Sequence, residues 1–318
     1  MTDQRPGPIE DLLATLDLKE VGAVEVSLAP TSSQAEAHPE LPSLFNSDVT
    51  VFLGQSQKMP HGRVFGGQVL AQCVMAAGRT VHPVDGGPAR AIHSLHGYFM
   101  RPGDDTAPIH FTVERMRDGA SFSTRRVHAI QHGAPILSAS ASFQEPAGGL
   151  DHQRPMPPVP APEDLPSLAE LTAATKDETA ERMARKRPVD LRHVSGDIWW
   201  DAPQDGTDEQ AVWMRTIGEL PDDPLIQAAT LAYCSDYTLL EPILRRHGLP
   251  WSDGRLRVAS LDHAMWFHRP GRIDGWVLYD QESPSATSGR GLGIGRMYSR
   301  DGHLLATVAQ EGMVRVKE

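Results

Sequence analysis

No apolar run in this chain approaches the ~20 residues that a bilayer-crossing helix needs. Its first thirty residues carry Asp3, Glu10, Asp11 and Asp17 instead of the basic and then apolar order of a secretory leader. A cytoplasmic protein with no membrane partner is expected. Cysteine is scarce: Cys73 and Cys234 are the two present, both in apolar stretches, which reads as buried reduced thiols and not as a disulfide or metal pair. Positive charge is also in deficit. A formal net charge of −11 argues against a nucleic-acid binder, yet leaves room for an anionic small ligand held by a local basic patch. There is no Gly-x-Ser-x-Gly nucleophile elbow, and Gly289-Arg-Gly-Leu-Gly-Ile-Gly295 lies between strand signals without fitting the dinucleotide fingerprint. His93 with His96, and His263 with His268, lack the spacing and carboxylate company of a zinc site, so they read as core or hydrogen-bonding histidines. Neither metal nor cofactor is expected.

What the chain does contain is an internal echo. Tyr98-Phe-Met-Arg-Pro-Gly103 matches Trp266-Phe-His-Arg-Pro-Gly271 at a constant offset of 168 residues, and both downstream segments close on Gln-Glu, at Gln144-Glu145 and Gln310-Glu311. A repeat of that length is a duplicated domain, and 318 residues are enough for two.

Each copy reads as one buried helix followed by about four strands. A short amphipathic helix over Ile9 to Leu18 leads in, and Val21 to Leu53 reads as an inserted or elaborated segment, in which Pro30, Pro39 and Pro42 interrupt whatever strand Val24 to Leu28 begins. Phe65 to Gly78 predicts a buried helix opened by glycines, and strands follow over 90–100, 108–117, 122–131 and 135–145. A proline-dense linker with a charged helical stretch around Ala169 to Lys186 separates the halves. Asp222-Asp223-Pro224 starts a second helix that runs to Leu244, before strands over 256–267, 276–282, 289–299 and 303–316. The expected divisions are a lead-in over 1–53, a first repeat over 54–147, a linker over 148–190 and a second repeat over 191–318.

In the second helix Asp236 shares a face with Ala229, Ala232, Tyr233, Leu239 and Leu240, which aims a carboxylate at the core, whereas the first helix offers Ala76 and Ala77 there. A buried carboxylate needs partners. Ser260 and Gln310 are available on strands, and Gln310 alternates in phase with Leu304, Ala306 and Val308, although Leu305 blurs that phase. Spacing alone does not bring the three together.

Phe65-Gly-Gly-Gln68, His93 to Gly103, Arg117-Asp-Gly-Ala-Ser-Phe-Ser-Thr-Arg-Arg126, Ser260 to Pro270 and Gln310-Glu-Gly312 closely resemble the acyl-coenzyme A thioesterase II family. The resemblance implies an α+β double hotdog, two repeats each of a long helix wrapped by an antiparallel sheet. It also implies hydrolysis of medium- to long-chain acyl-coenzyme A to a free acid and coenzyme A, and a homodimer or larger homo-oligomer. The family holds the attacking water with an Asp, a Thr or Ser, and a Gln, and the matching positions are Asp236, Ser260 and Gln310. Ser260 stands where Thr is common, and the segment from Leu18 to Gly54 is expanded. Anionic coenzyme A on a protein of net −11 calls for local cations, and Arg63 and Arg125 are the expected ones. The rival readings on the same fold are a non-catalytic acyl-coenzyme A binding module and a hydratase or dehydratase of enoyl and hydroxyacyl thioesters.

Overall fold

Two helices too apolar to face water dictate the architecture, because each must be enclosed on every side. A computed structural model of the chain describes residues 7–28, 45–83, 86–175 and 186–317. The first half contains α1 (Pro8–Leu16), β1 (Lys19–Leu28), β2 (Phe45–Gly54), α2 (Gly66–Arg79), β3 (Ala91–Phe99), β4 (Ile109–Asp118), β5 (Phe122–Gln131) and β6 (Ala134–Gln144). A connection carrying α3 (Leu168–Thr175) leads to β7 (Val189–His193), β8 (Glu209–Thr216), α4 (Pro224–Ser235) and α5 (Glu241–Arg246). β9 (Leu256–Ser260), β10 (Asp262–Phe267), β11 (Val277–Thr287), β12 (Arg290–Ser299) and β13 (Leu304–Val316) complete the chain.

The strands form one antiparallel sheet in the order β1-β2-β4-β5-β6-β3-β10-β13-β12-β11-β8-β7, with β9 also paired to β13. Read outward from the β3/β10 seam, the two halves have the same succession, as a duplication requires. The register at the seam shows the symmetry directly. Tyr98 lies opposite Asp262 and Trp266 opposite Ser94, so the second pair is the first with each member exchanged for its counterpart 168 residues away. α2 and α4 pack antiparallel inside the sheet, Gly67 against the carbonyl of Tyr233 and Gly78 against Leu225, within a single core cluster shared by both halves.

Three sequence expectations change. The segment before residue 54 contributes two strands, because Val24 and Val49 sit in runs that pair with each other, and β2 then pairs with β4; Pro30, Pro39 and Pro42 lie outside the described residues. β7 and β8 likewise precede α4, so each half has two strands before its helix and four or more after it. The charged helical stretch is described only over α3, and residues 176–185 lie outside the described residues. The second helix is not continuous to Leu244. It ends at Ser235, with Asp236 as its C-cap, and resumes at Glu241 with Pro242 in its first turn. Pro242 has no N–H to give to the carbonyl of Thr238 and its ring excludes helical backbone there. The turn between the helices fits because β12 turns a glycine toward it, since a Cβ at Gly293 would lie 2.1 Å from the carbonyl oxygen of Leu239. The glycine-rich run of β12 is therefore a seat for this turn.

Candidate active site

Asp236 is the pivot. As a C-cap it stands where α4 has stopped, partly buried, at the point where the antiparallel packing brings in the N-terminal turn of α2. A Cβ on Gly66 would lie 2.6 Å from Asp236 Oδ2, so only glycine lets the helix start come this close. The backbone N–H of Gly67, in the first turn of α2, favours the charged form of the carboxylate. The site is therefore composite, with the acid from the second repeat and a helix N-terminus from the first.

Ser260 reaches it through a strand irregularity. Ala264 pairs with Ala309 and Ser260 with Gly312, four residues of one strand against three of the other. That extra residue at the β9/β10 junction turns Ser260 from the face of Asp262 and Ala264 to the inner face. Gln310 is already inward, in phase with Ala306, Val308 and Gly312 on β13, because Leu305 sits at a register shift and takes the extra residue. Gln310 Nε2 donates to Asp236 Oδ1 at 3.0 Å and to Ser260 Oγ at 2.8 Å, and Ser260 Oγ donates to Asp236 Oδ1 at 3.3 Å. The three residues thus meet at one point. Gln310 lies buried behind Asp236 and Ser260, which are both partly open.

Burial pushes the Asp236 carboxyl up to about 6, against the opposing pull of the hydrogen bonds from Gln310, Gly67 and Ser260. A carboxylate with that affinity is ionised at neutral pH and still able to accept a proton, as a general base must be. Behind Gln310, its Oε1 contacts His263 Nδ1, and His263 Nε2 lies 2.9 Å from Ser235 Oγ. Burial pushes the His263 imidazole down to about 4, so it is neutral. Beside the carboxylate, Phe65 stacks on Tyr237 with ring centroids 4.7 Å apart, and the Arg187 guanidinium lies 5.1 Å from the Tyr237 centroid.

Arg63 and Arg125 fare differently as expected cations. Arg63 is exposed in the segment entering α2. Arg125 is 1 % exposed, and its guanidinium donates to Thr80 Oγ1 and Thr80 O at the end of α2, to Arg117 O and Thr124 O, and to Asp118 Oδ1 at 2.8 Å. The sheet explains why. Gln310 lies opposite Gly293, and its counterpart Ala141 lies opposite Arg125. In the first half Gly78 aligns with Asp236 when the helix starts are matched, and Arg125, reaching Thr80, fills the space that the turn after Asp236 takes at Gly293 in the second half. Arg125→Ala should cost about 1–3 kcal/mol, the scale for leaving buried hydrogen-bonding groups such as Thr80 without their partner. The expected readout is a lowered Tm with an unchanged KM, and a raised KM at unchanged Tm would return Arg125 to the substrate.

Sequence reasoning missed Arg187, because nothing in its local pattern marks a cation that only chain folding sets on Tyr237. It also treated His263 as one of several ordinary histidines.

The comparisons with known proteins bear on the family and the fold. Residues 187–313 match the family profile described as acyl-CoA thioesterase, and residues 55–144 match the acyl-CoA thioesterase N-terminal domain. Acyl-CoA thioesterase 2 of Haemophilus influenzae is 40 % identical over 85 % of this chain and 94 % of its own length. The human acyl-coenzyme A thioesterase 8 is 38 % identical over 85 % of this chain and 86 % of its own. Among solved structures, the acyl-CoA thioesterase II TesB2 from Mycobacterium marinum superposes with a TM-score of 0.71 at 38 % identity, covering 96 % of this chain and 99 % of that one. A protein with a hot dog fold from Alicyclobacillus acidocaldarius superposes with a TM-score of 0.67 at 21 % identity, covering 84 % and 94 %, which bears on the fold alone. With profile matches in both halves and relatives that span nearly its whole length, this double-hotdog chain belongs to the acyl-CoA thioesterase family.

Proposed function

We propose that the chain hydrolyses medium- to long-chain acyl-coenzyme A to the free acid and coenzyme A, with Asp236 as the general base for the attacking water. The observation that carries this reading is the meeting of Asp236, Ser260 and Gln310 at one partly open point against the N-terminus of α2. Water bound at Asp236 and Ser260 is oriented toward the thioester carbon, Asp236 takes its proton, and coenzyme A leaves as a thiolate that is then protonated. No covalent acyl-enzyme is needed. The positive end of the α2 dipole lies where negative charge grows on the carbonyl oxygen. Phe65, Phe99 and Tyr237 give the site an apolar rim suited to a hydrocarbon chain, and Arg187 and Arg63 supply cations for the coenzyme phosphates.

Thiol release from acyl-coenzyme A, followed with a thiol reagent across acyl lengths and across pH, tests the reading. Because the proton-accepting form is the carboxylate, kcat should fall about tenfold per pH unit below pH 6, where Asp236 becomes protonated, and should level off above it. Binding without thiol release would make the protein a binding module, and a kcat flat from acid to neutral pH would remove Asp236 as the base.

A further inference from the structure

We propose that His263 is a positioning residue of this hydrolysis: its Nδ1 proton fixes which end of the Gln310 amide faces Asp236 and Ser260. This rests on the reaction proposed above, and on three observations independent of it.

The first is donor accounting. Gln310 Nε2 has two protons, and its two contacts, Asp236 Oδ1 at 3.0 Å and Ser260 Oγ at 2.8 Å, use both. The other end of the amide is then the carbonyl, which only accepts, so the contact between Gln310 Oε1 and His263 Nδ1 requires the proton on Nδ1. A neutral imidazole has one N–H, which leaves Nε2 as an acceptor, so the one hydroxyl proton of Ser235 goes to Nε2, 2.9 Å away, and not to the carbonyl of Ala232, also 2.9 Å away. The chain of donation therefore runs in one direction, from Ser235 to His263 to Gln310 and from there to the carboxylate and Ser260. A flipped amide would set its carbonyl against a carboxylate and leave the imidazole N–H facing an NH2 group. The ionised carboxylate of Asp236 excludes that arrangement, and Ser235 follows the tautomer that Gln310 sets.

The second is burial. His263 is 1 % exposed, Gln310 1 % and Ser235 fully buried, so no solvent competes for these protons and each unmatched one costs free energy. The neutral state that burial imposes on His263 is also the state that the accounting needs.

The third is the duplicated half, which serves as an internal control. The counterpart of His263 is Leu95, and Leu95 lies opposite Ala141, the counterpart of Gln310. Matching the helix starts puts Ala77 at the place of Ser235. All three counterparts are apolar and buried. The fold itself is thus content with Leu, Ala and Ala at these three positions, which are polar in the half that carries Asp236.

The test has one arm that does not need activity and one that does. Nitrogen-resolved NMR of the histidine rings in the wild-type protein should show His263 with its proton on Nδ1 at neutral pH; a proton on Nε2 overturns the proposal, whether or not the protein is an enzyme. In the kinetic arm, His263→Leu copies the residue of the first half, and should lower kcat by about 10- to 100-fold with KM within about twofold, the scale of a misplaced reacting group. His263→Asn, whose amide N–H can stand near the lost Nδ1, should recover most of kcat. His263→Gln, whose amide reaches toward Ser235 instead, should not. If wild-type protein releases thiol and the folded Leu variant matches its kcat, His263 positions nothing. If wild-type protein releases no thiol, the hydrolytic reading fails and the tautomer alone decides the hydrogen-bond order.

Discussion

Asp236→Asn is expected to lower kcat by about 10²-fold or more, the usual scale for losing a general base, and at the same time to make the protein more stable at neutral pH. The first effect follows from chemistry, since an amide cannot take the proton from water. The second follows from linkage. The Asp236 carboxyl is raised in the folded state from its ordinary 3.8 to about 6, so the folded protein holds the proton more tightly than the unfolded chain does. Below about pH 3.8 both states are protonated and there is no cost; as pH rises through the folded value the cost of a buried charge grows, and above about 6 it is fully present. At about 1.4 kcal/mol per pKa unit the gap corresponds to about 3 kcal/mol. Partial exposure of the carboxylate reduces the expected gain to about 1–2 kcal/mol. Denaturant melts of both proteins at pH 7 and pH 4 check this, because the advantage of the Asn variant should shrink at the lower pH. An Asn variant that kept full turnover would end the assignment, and one that was less stable at pH 7 would show that hydrogen bonds to the carboxylate outweigh its desolvation.

Much of this arrangement was legible in the sequence, and the portions that were not have physical reasons. The duplication announced itself through Tyr98 to Gly103 and Trp266 to Gly271, because the seam strands keep aromatic and Arg-Pro-Gly signals in both copies. The helices were readable from their apolar runs, and the family resemblance pointed to Asp236, Ser260 and Gln310. Two features were hidden. The break after Ser235 depends on Gly293, some 58 residues away, leaving room for the Leu239 carbonyl, and no local propensity reports that. The inward turn of Ser260 depends on one extra residue at the β9/β10 junction, and a period-two pattern carries no mark of such a shift until the partner strand is known. The burial of Arg125 was hidden for a related reason. A basic residue on a strand reads as surface until the other half shows that the same row of the sheet, His263, Gln310 and Gly293 there, is Leu95, Ala141 and Arg125 here.

Gly67→Ala is expected to damage both stability and turnover, although alanine favours a helix over glycine by about 1 kcal/mol. The added Cβ would stand 2.4 Å from the carbonyl oxygen of Tyr233 and 2.5 Å from the Phe65 ring. Phe65 is a side chain and can rotate; the Tyr233 carbonyl is backbone, in the last turn of α4, and cannot step aside without moving the helix. Relief therefore requires α2 and α4 to separate at the one end where they jointly form the site. Overpacking of this kind costs about 1–3 kcal/mol, which exceeds the helix-propensity gain in all but its mildest form. The functional loss should be larger than the structural one, because Asp236 follows directly on α4 and its carboxylate lies against the start of α2 at Gly66. Widening that contact moves the base relative to the helix end that faces the substrate carbonyl, and displacements near 1 Å at a reacting centre cost about 10²-fold. Calorimetry and thiol-release kinetics on the same preparation separate the two effects. A variant with a raised Tm and undiminished kcat would show that the helices have slack at Gly67, and the composite site would then lose its structural basis.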